Sequence, residues 1–411
     1  MSVALVPELR FPEFVDDWEA KIVDNIAQKI GSGVTPKGGK QSYLDEGIPL
    51  IRSQNVNRDT VILDDVAFIS EATHAAMSNS HVEDGDILLN ITGASIGRSA
   101  LVSTGISPAN VNQHVCIIRL RQNDNAAFLQ RLISAWQGQR EIFRTQAGGG
   151  REGLNFEAIK AFKFSFPSLP EQKKIAAFLG AVDEKLKALR AKKDLLTDYK
   201  RGCMQQLFTQ KIRFKRDNGA DFPNWEEKKL GAVAEFSKGK GLSKADISEY
   251  GNTSCIRYAE LYTEYGQVIA TTVSSTNIPK SELSLSEADD VIIPASGESS
   301  VDIATAACVK NGGVALGGDI NIIRSNFVGE YLARYLTHHK NLDIARLAQG
   351  NSVVHLYRSH LASLTVKFPH PDEQQKIANF LSTIDVKINT VTDQISAVEA
   401  FKKGLLQQMF V

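Results

Sequence analysis

The chain has 411 residues, of which 43% are hydrophobic and 23% are charged, and its formal net charge at pH 7 is zero. This composition is typical of soluble globular proteins with about two or three domains, and it argues against wholesale disorder. Proteins that bind DNA are usually basic overall, so a neutral chain must form any nucleic-acid surface from local clusters of charge.

The cysteines and the apolar runs narrow the class of protein further. The four cysteines are Cys116, Cys203, Cys255 and Cys308. They form no CxxC pair, so we predict buried, reduced thiols and no metal site. No apolar run approaches the roughly 18 residues that a membrane span needs, and the N-terminus lacks a signal-peptide pattern. We therefore expect a cytoplasmic protein.

Residues 1–165 predict an α+β domain, which we call head one. Short aliphatic runs bounded by Gly, Asp and Asn, such as residues 86–93 and 115–119, are typical of strands. A helix-like stretch follows at residues 126–143. We expect a curved antiparallel sheet with a few peripheral helices.

Four polar loops of head one carry side chains suited to DNA. Arg, Lys, Asn and Gln match base edges in the major groove, and Ser and Thr bind bases less selectively or hold phosphates. Each loop alone fits an ordinary polar turn equally well, and His114 fits a structural histidine. Together, in a head without catalytic chemistry, the loops predict these DNA contacts: Arg52, Ser53, Gln54, Asn55, Asn90, Thr92, Ser95, Arg98, Asn112, Gln113 and Arg151.

Residues 166–210 predict one long helix. Apolar side chains recur in alternating steps of four and three residues, which is the period of a coiled-coil seam. Pro170 lies just ahead of the run, where a helix start tolerates proline. The predicted seam residues are Ile175, Leu179, Val182, Leu186, Leu189 and Leu196.

Residues 211–367 predict a second head, which we call head two, after a basic, polar linker at residues 209–221. Its aliphatic runs and its helix-like stretch at residues 330–347 parallel those of head one. Its polar loops lie in matching places but carry different side chains. The predicted DNA contacts are Lys238, Lys240, Arg257, Tyr258, Ser296, Ser299, Asp319, Asn351, Ser352, His355 and Arg358.

Residues 368–411 predict a second long helix that repeats the first. Residues 166–208 and 368–410 align without a gap, and 16 of 43 positions are identical. Since the first helix leads to head two and the second leaves it, side-by-side packing requires an antiparallel pair. A second apolar stripe, which includes Phe178 and Phe380, must be covered by the heads or by a partner. The predicted seam residues are Ile377, Leu381, Ile384, Ile388, Val391, Ile395 and Val398.

This order of head, helix, head and helix resembles the specificity subunit of type I restriction–modification systems. The resemblance covers essentially the whole chain. Its most specific parts are the repeated motifs Glu171-Gln172…Lys174-Ile175-Ala176 and Glu373-Gln374…Lys376-Ile377-Ala378, which are similar to the conserved helical regions of that family.

The resemblance implies a function for each part of the chain. The heads correspond to two target-recognition domains, each reading one half of an asymmetric site on double-stranded DNA. Two modification (methyltransferase) subunits dock on the helices, and motor–nuclease subunits join for cleavage. The chain itself then binds no cofactor, and the methyl donor, ATP and Mg are expected on the partner subunits.

The sequence contains none of the catalytic motifs that we sought. Residues 31–40 resemble a P-loop, but Gln41 follows Lys40 where Ser or Thr is required. No motif for amino-group methylation and no glycine-rich fingerprint for a methyl donor is present. We therefore expect no enzymatic activity. Two rivals remain: a coiled-coil scaffold that joins two protein-binding heads, and an enzyme with two degenerate heads.

Overall fold

A computed structural model describes residues 6–57, 59–146, 153–350 and 354–411 of the chain. The chain divides into two compact units, Met1–Arg190 with Asp393–Val411, and Ala191–Thr392. Each unit therefore contains one head together with the beginning of one long helix and the end of the other. Within the described ranges, no helix has the length and apolar content that a membrane crossing requires.

Head one is built from short strands and short helices, as the sequence predicts. Its strands are β1 (Glu19–Ile22), β2 (Ala27–Ser32), β3 (Ile48–Ile51), β4 (Val56–Asn57), β5 (Thr60–Val61), β6 (Ala67–Ile69), β7 (His81–Val82), β8 (Ile87–Asn90), β9 (Ser99–Leu101), β10 (Ala109–Val111), β11 (Val115–Leu120) and β12 (Lys163–Phe166). Its helices are α1 (Val23–Ile26), α2 (Glu71–Ala76), α3 (Ala126–Ser134), α4 (Trp136–Gln146) and α5 (Phe156–Lys160).

The strands of head one form several small sheets rather than a single antiparallel one. The two larger sheets have the strand orders β2-β11-β8-β9 and β6-β3-β10-β7. Strands β3 and β10 are parallel, which corrects the expectation of a purely antiparallel sheet. A parallel pair needs a long crossover connection, and the chain between these two strands provides it. Strands β1 and β12 pair at the two ends of the head.

The helical stretch of head one is broken in two. Helix α3 ends at Ser134 and α4 begins at Trp136, where one stretch over residues 126–143 was predicted. The break brings Gly138 of α4 against the backbone of α3. A Cβ atom at Gly138 would lie 2.4 Å from the carbonyl oxygen of Ile133. Glycine therefore permits the close packing that follows the break.

Helix α6 (Leu169–Phe208) leads into head two, which repeats the construction, and α11 (Pro371–Gln408) follows it. The strands of head two are β13 (Glu226–Lys229), β14 (Ala234–Lys238), β15 (Ile247–Ser248), β16 (Thr253–Ile256), β17 (Val268–Ile269), β18 (Ser274–Thr276), β19 (Asp290–Pro294), β20 (Ser296–Gly297), β21 (Ala307–Val309), β22 (Ala315–Leu316), β23 (Ile320–Ser325), β24 (Val354–His355) and β25 (Thr365–Phe368). Its helices are α7 (Glu260–Thr263), α8 (Gly329–His339), α9 (Asn341–Leu347) and α10 (Arg358–Ser363).

The sheets of head two resemble those of head one, with a fifth strand, β17, in the larger sheet. Their orders are β14-β23-β19-β21-β17 and β15-β18-β16-β22, and β13 pairs with β25 at the two ends of the head. Strand β16 runs parallel to β22, as β3 runs parallel to β10. The strands β3 and β16 therefore occupy equivalent places in the two heads.

Each long helix begins with a buried Glu-Gln pair that anchors it to its own head. Glu171 accepts two hydrogen bonds from Arg10, both at 2.8 Å. Gln172 accepts a hydrogen bond from the backbone N–H of Asn125 at 2.8 Å. In head two, Glu373 binds Arg213, and Gln374 accepts from the backbone N–H of residue 328 at 3.0 Å. The repeated motif thus fixes where each helix leaves its sheet.

The two long helices run in opposite directions within each unit, as predicted. In the first unit, Ile175 and Leu179 near the start of α6 share one apolar core with Leu405 and Met409 near the end of α11. In the second unit, the end of α6 and the start of α11 meet in the same way. The seam residues Ile175, Leu179, Val182, Leu186, Leu189, Ile377, Leu381, Ile384 and Val391 are buried, and Leu196, Ile388, Ile395 and Val398 are half-buried.

The second apolar stripe of the helices is covered by the heads. Phe178 packs edge-on against Phe11 with ring centroids 5.8 Å apart, and Phe380 packs against Phe214 at 5.7 Å. The side chains of Met204, Phe208 and Phe410 are also buried in the cores of their units. The sequence predicts that either a partner or the heads cover this stripe, and in the structure the heads cover it.

Candidate nucleic-acid interface

In head one, the predicted contacts begin with the loop that follows β3. The backbone N–H of Arg52 donates to Asn55 Oδ1 at 3.0 Å, and Asn90 Nδ2 donates to the carbonyl of Ser53 at 2.8 Å. Asn55 is 2% exposed and Asn90 is not exposed at all. The prediction that Asn55 and Asn90 contact DNA directly does not fit the structure, because buried side chains that hold a loop cannot reach a base edge. The loop presents Arg52, Ser53 and Gln54 instead.

A second group of predicted contacts in head one is joined by hydrogen bonds around His114. Thr92 Oγ1 lies 2.6 Å from His114 Nδ1, and Gln113 Nε2 lies 3.0 Å from His114 Nε2. Gln113 also bonds Thr35. Asn112 is buried, and its Oδ1 accepts from the backbone N–H of His114, so it too supports the loop. His114 thereby orients its neighbours.

We call the outward-facing residues of these loops rim one: Thr35, Arg52, Ser53, Gln54, Thr92 and Gln113. Ser95 and Arg98 form the adjoining turn, in which the backbone N–H of Arg98 donates to the carbonyl of Ser95 at 3.1 Å. Arg98 is exposed. Arg151 lies outside the described residues. The structure thus brings most of the predicted contacts of head one together in the loops that follow β3 and β8.

Sequence reasoning missed part of rim one. The loop after β2 contains Thr35 and the exposed Lys37 and Lys40. It also places the ring of Tyr43 5.6 Å below the Arg52 guanidinium, a cation–π contact. The signal was present in the repeat, because this loop occupies the place of residues 239–244 in head two, whose lysines were recognised.

In head two, four predicted contacts line a single cavity of about 860 Å³. These are Lys240, Arg257, Tyr258 and Asp319. Lys244 lines the same cavity, together with the carboxylates of Asp246 and Glu282. The cavity therefore mixes cationic donors with acceptors, as the recognition of base edges requires.

The remaining contacts of head two continue from this cavity. Lys238 forms an ion pair with Asp319 at 3.6 Å, and the carbonyl of Asp319 accepts from the N–H of Ala295 at 2.7 Å. The next residue, Ser296, pairs with His355 between β20 and β24. Arg358 begins α10, and its Nη1 lies 3.4 Å from the carbonyl oxygen of Phe236.

We call the outward-facing residues of this surface rim two: Lys238, Lys240, Arg257, Tyr258, Asp319, His355 and Arg358. Ser296 is only 8% exposed. The prediction that it contacts DNA directly therefore does not fit the structure, and Ser296 supports the surface from below. Ser299 caps a short turn, because its Oγ accepts from the backbone N–H of Asp302 at 3.1 Å and donates to the Asp302 carboxylate at 2.6 Å. Asn351 and Ser352 lie outside the described residues.

Arg52 and Arg257 occupy equivalent positions in the two rims. Each follows the last residue of its strand, β3 or β16, and each backbone N–H is bound by the side chain three residues on. The acceptor is Asn55 in head one and Glu260 in head two, at 3.0 and 3.1 Å. Glu260 was not among the sequence candidates, because a buried acid gives no local signal.

The four cysteines are buried and free, as predicted. Burial raises the pKa of the Cys116 thiol to about 12. Burial also raises the pKa of Cys255, which lies beneath rim two, to about 11, and the charge of Glu260 adds to the effect. Both thiols therefore stay protonated at neutral pH and fill space in the core. Among the described residues, no group of His, Cys, Asp and Glu is arranged to hold a metal.

A family model described as the type I restriction modification DNA specificity domain matches residues 15–197 and 223–400. The chain belongs to this family. The two matches correspond to the two heads with most of their helices, so the family's domain is present twice. The repeat in the sequence and the repeat in the fold are therefore one feature.

Relatives from this family match along nearly the full chain. The chain is 24% identical over 408 residues to the putative type I restriction enzyme MjaX specificity subunit of Methanocaldococcus jannaschii, covering 96% of this chain and 93% of the relative. It is 22% identical to the MjaVIII specificity subunit of the same organism, covering 97% of this chain and 92% of the relative.

Two solved structures share the fold of this type I specificity protein. The S subunit of a type I restriction–modification system from M. genitalium superimposes with a TM-score of 0.62 at 15% identity, covering 99% of both chains. A chain from a study of complex assembly and conformational transition of the type I R-M system superimposes with a TM-score of 0.57 at 14% identity, covering 97% of this chain and 98% of that one.

Proposed function

We propose that this chain is the non-catalytic DNA-recognition subunit of a type I restriction–modification complex. Head one reads one half of a bipartite, asymmetric site on double-stranded DNA, and head two reads the other half. The two long helices set the spacer between the halves and dock two methyltransferase subunits. Motor–nuclease subunits join for cleavage, and the methyl donor, ATP and Mg are bound by these partners. The complex acts in the cytoplasm.

One observation carries this proposal: the two rims stand on equivalent strands but carry different side chains. Rim one presents Arg52-Ser53-Gln54 where rim two presents Arg257-Tyr258-Ala259. The strands beneath them keep the same pairing, including the parallel pair in each head. Two readers of unlike half-sites require such differences, and the rims carry the donor side chains that match base edges and phosphates, which a scaffold joining two protein-binding heads does not explain.

The long helices support the role of spacer and docking platform. Each is anchored by a buried Glu-Gln pair at its start, and each is packed into the core of a unit at its end. A helix that is anchored at both ends has a fixed length. The two helices, of 40 and 38 residues, are roughly 60 and 57 Å long. The repeat also offers two similar faces, which fits two copies of one methyltransferase subunit.

The test is to map methylation in a host that carries this chain with its methyltransferase subunits. We expect one bipartite motif with a spacer of undefined sequence. Replacing residues 1–165 with head one of a relative should change one half of the motif and leave the other half and the spacer intact, because each head owns a complete rim.

A motif whose two halves both change on the swap would show that the heads are not independent readers. A complex that assembles but shows no salt-dependent DNA binding and no motif would favour the coiled-coil scaffold, because phosphate contacts give binding a steep salt dependence.

A further inference from the structure

Arg257 differs from the other cations of rim two in being held rigidly by a buried acid. Its side chain lines the cavity of head two and remains 30% exposed. Glu260 Oε1 accepts from Arg257 Nε at 2.9 Å and lies 2.8 Å from Nη2. By contrast, Lys238, Lys240 and Lys244 are exposed on the surface of the same head.

Glu260 is itself fixed from several sides. It is 3% exposed, and its Oε1 also accepts from Ser274 Oγ at 2.7 Å. Its Oε2 accepts from the backbone N–H of Arg257 at 3.1 Å. A buried carboxylate satisfied in this way orients a guanidinium, because hydrogen bonds between charged groups are stronger than neutral ones.

The contacts with Glu260 leave one edge of the guanidinium available. Nε donates the hydrogen bond and Nη2 lies on the side of the ion pair, and among the described residues none accepts a hydrogen bond from Nη1. The remaining edge offers a planar pair of donors, which matches the O6 and N7 acceptors of guanine in the major groove. A phosphate contact needs no such fixed orientation, and the lysines nearby can supply it.

Head one lacks this arrangement at the equivalent position. Asn55 stands where Glu260 stands, and its Nδ2 donates to the carbonyl of Ile62 at 3.0 Å. A neutral amide cannot hold the guanidinium of Arg52 as a carboxylate does. Arg52 is held instead by the Tyr43 ring and by the carbonyl of Asp65, 3.2 Å from Nη2.

We propose that Arg257, positioned by Glu260, reads a guanine in the half-site of head two. This inference rests on the proposed function, in which head two reads one half of a bipartite site. Arg257 is the specificity-determining residue, and Glu260 is a positioning residue that acts through it. The prediction therefore concerns one G·C pair in one half of the motif.

The test uses the full chain with its methyltransferase subunits, acting on a library of randomised DNA duplexes. Arg257→Lys keeps the charge but loses the planar fork, and Glu260→Gln keeps the size of the side chain but loses its charge. Each should reduce the preference for one G·C pair roughly 5- to 150-fold. The other half of the motif and the spacer should not change. Arg346→Ala, which removes an equal charge from a side chain that is 79% exposed on α9, is the control.

The outcomes separate this inference from the proposed function. If Arg257→Lys methylates the same motif with the same preferences, Arg257 does not read a base. Uniformly weaker methylation of all sequences would assign it to a phosphate, and this also overturns the inference. If Glu260→Gln fails to fold, Arg257→Lys decides alone, since its side chain is partly exposed. Absence of any motif with the unaltered chain would instead overturn the proposed function.

Discussion

Two glycines allow the backbone to approach closely beneath the rims. A Cβ atom at Gly33 would lie 1.6 Å from the carbonyl oxygen of Val111, and one at Gly239 would lie 2.0 Å from that of Gly317. Each glycine stands at the start of the loop that carries the lysines of its head. The position of these loops therefore depends on a residue without a side chain.

Gly33→Ala should destabilise the first unit by about 1–3 kcal/mol or more, because the methyl group overlaps a backbone atom that cannot move freely. Gly31→Ala, two residues earlier in β2, is the matched control, since nothing lies within 4 Å of its Cβ position. Denaturant unfolding of both variants measures the difference. Equal stability of the two variants would show that the loop beneath rim one yields to the extra atom.

At the scale of the elements, the end of each long helix is held by a partly buried ion-pair network. In the first unit, Lys402 of α11 lies 2.6 Å from Asp59 of head one and 2.7 Å from Asp183 of α6. Arg131 of α3 completes the network at 3.3 Å from Asp59. The second unit has a similar network in which Asp385 of α11 binds Lys200 and Arg334. Each network joins both helices to one head.

The first network depends on pH in a defined direction. Burial alone would raise the pKa of Asp59, but the charges of Lys402 and Arg131 outweigh burial and lower it. A carboxyl group whose pKa is lower in the folded state contributes stability above its unfolded pKa of about 3.9, and this is lost as the pH falls towards the folded pKa. Acid should therefore weaken the attachment of α11 to head one.

Lys402→Met should lower the free energy of unfolding of the first unit by roughly 1.5–3 kcal/mol at neutral pH. The substitution removes one of the two cations, Lys402 and Arg131, that the partly buried Asp59 and Asp183 share. Lys403→Met is the control, because Lys403 is the next residue and its side chain is exposed. Thermal unfolding followed at neutral pH and at about pH 3, below the unfolded pKa, tests both points: the loss should be smaller in acid. If the Lys402→Met protein were as stable as the control, this network would not stabilise the first unit.

At the scale of the whole molecule, the two compact units divide within the long helices rather than at the edges of the heads. The divisions fall after Arg190 in α6 and after Thr392 in α11. These positions are separated by the same offset of 202 residues that relates the two helices in the sequence. A pair of insertions at the divisions therefore lengthens both helices without altering either head or its anchoring Glu-Gln pair.

Four residues inserted after Leu189 together with four inserted after Val391 should lengthen the spacer of the recognised motif. Four residues add about 6 Å of helix and nearly preserve the apolar stripe, as a coiled-coil stutter does. The half-sequences should stay the same while the spacer grows by about one or two base pairs, each rising 3.4 Å. Methylation mapping decides the point. Full activity with an unchanged spacer would mean that the helices do not set the distance.

The sequence alone determined the features that depend on local periodicity and on repetition. The steps of four and three residues from Ile175 onward predict a helix, and α6 runs without a break from Leu169 to Phe208. The direct repeat predicts two similar heads and an antiparallel helix pair, and both are confirmed. These features could be predicted because a helix is specified by neighbours within one or two turns, and a repeat needs no knowledge of tertiary contacts.

The tertiary structure decided which polar residues face outward and which support them. Asn55, Asn90 and Asn112 have the same character in the sequence as Gln54 and Gln113, yet the first three are buried. The parallel pairing of β3 with β10, and the carboxylate of Glu260 beside Arg257, likewise left no local signal. Exposure and pairing in a sheet depend on segments that are distant in the chain, and no periodicity within one segment records where those partners lie.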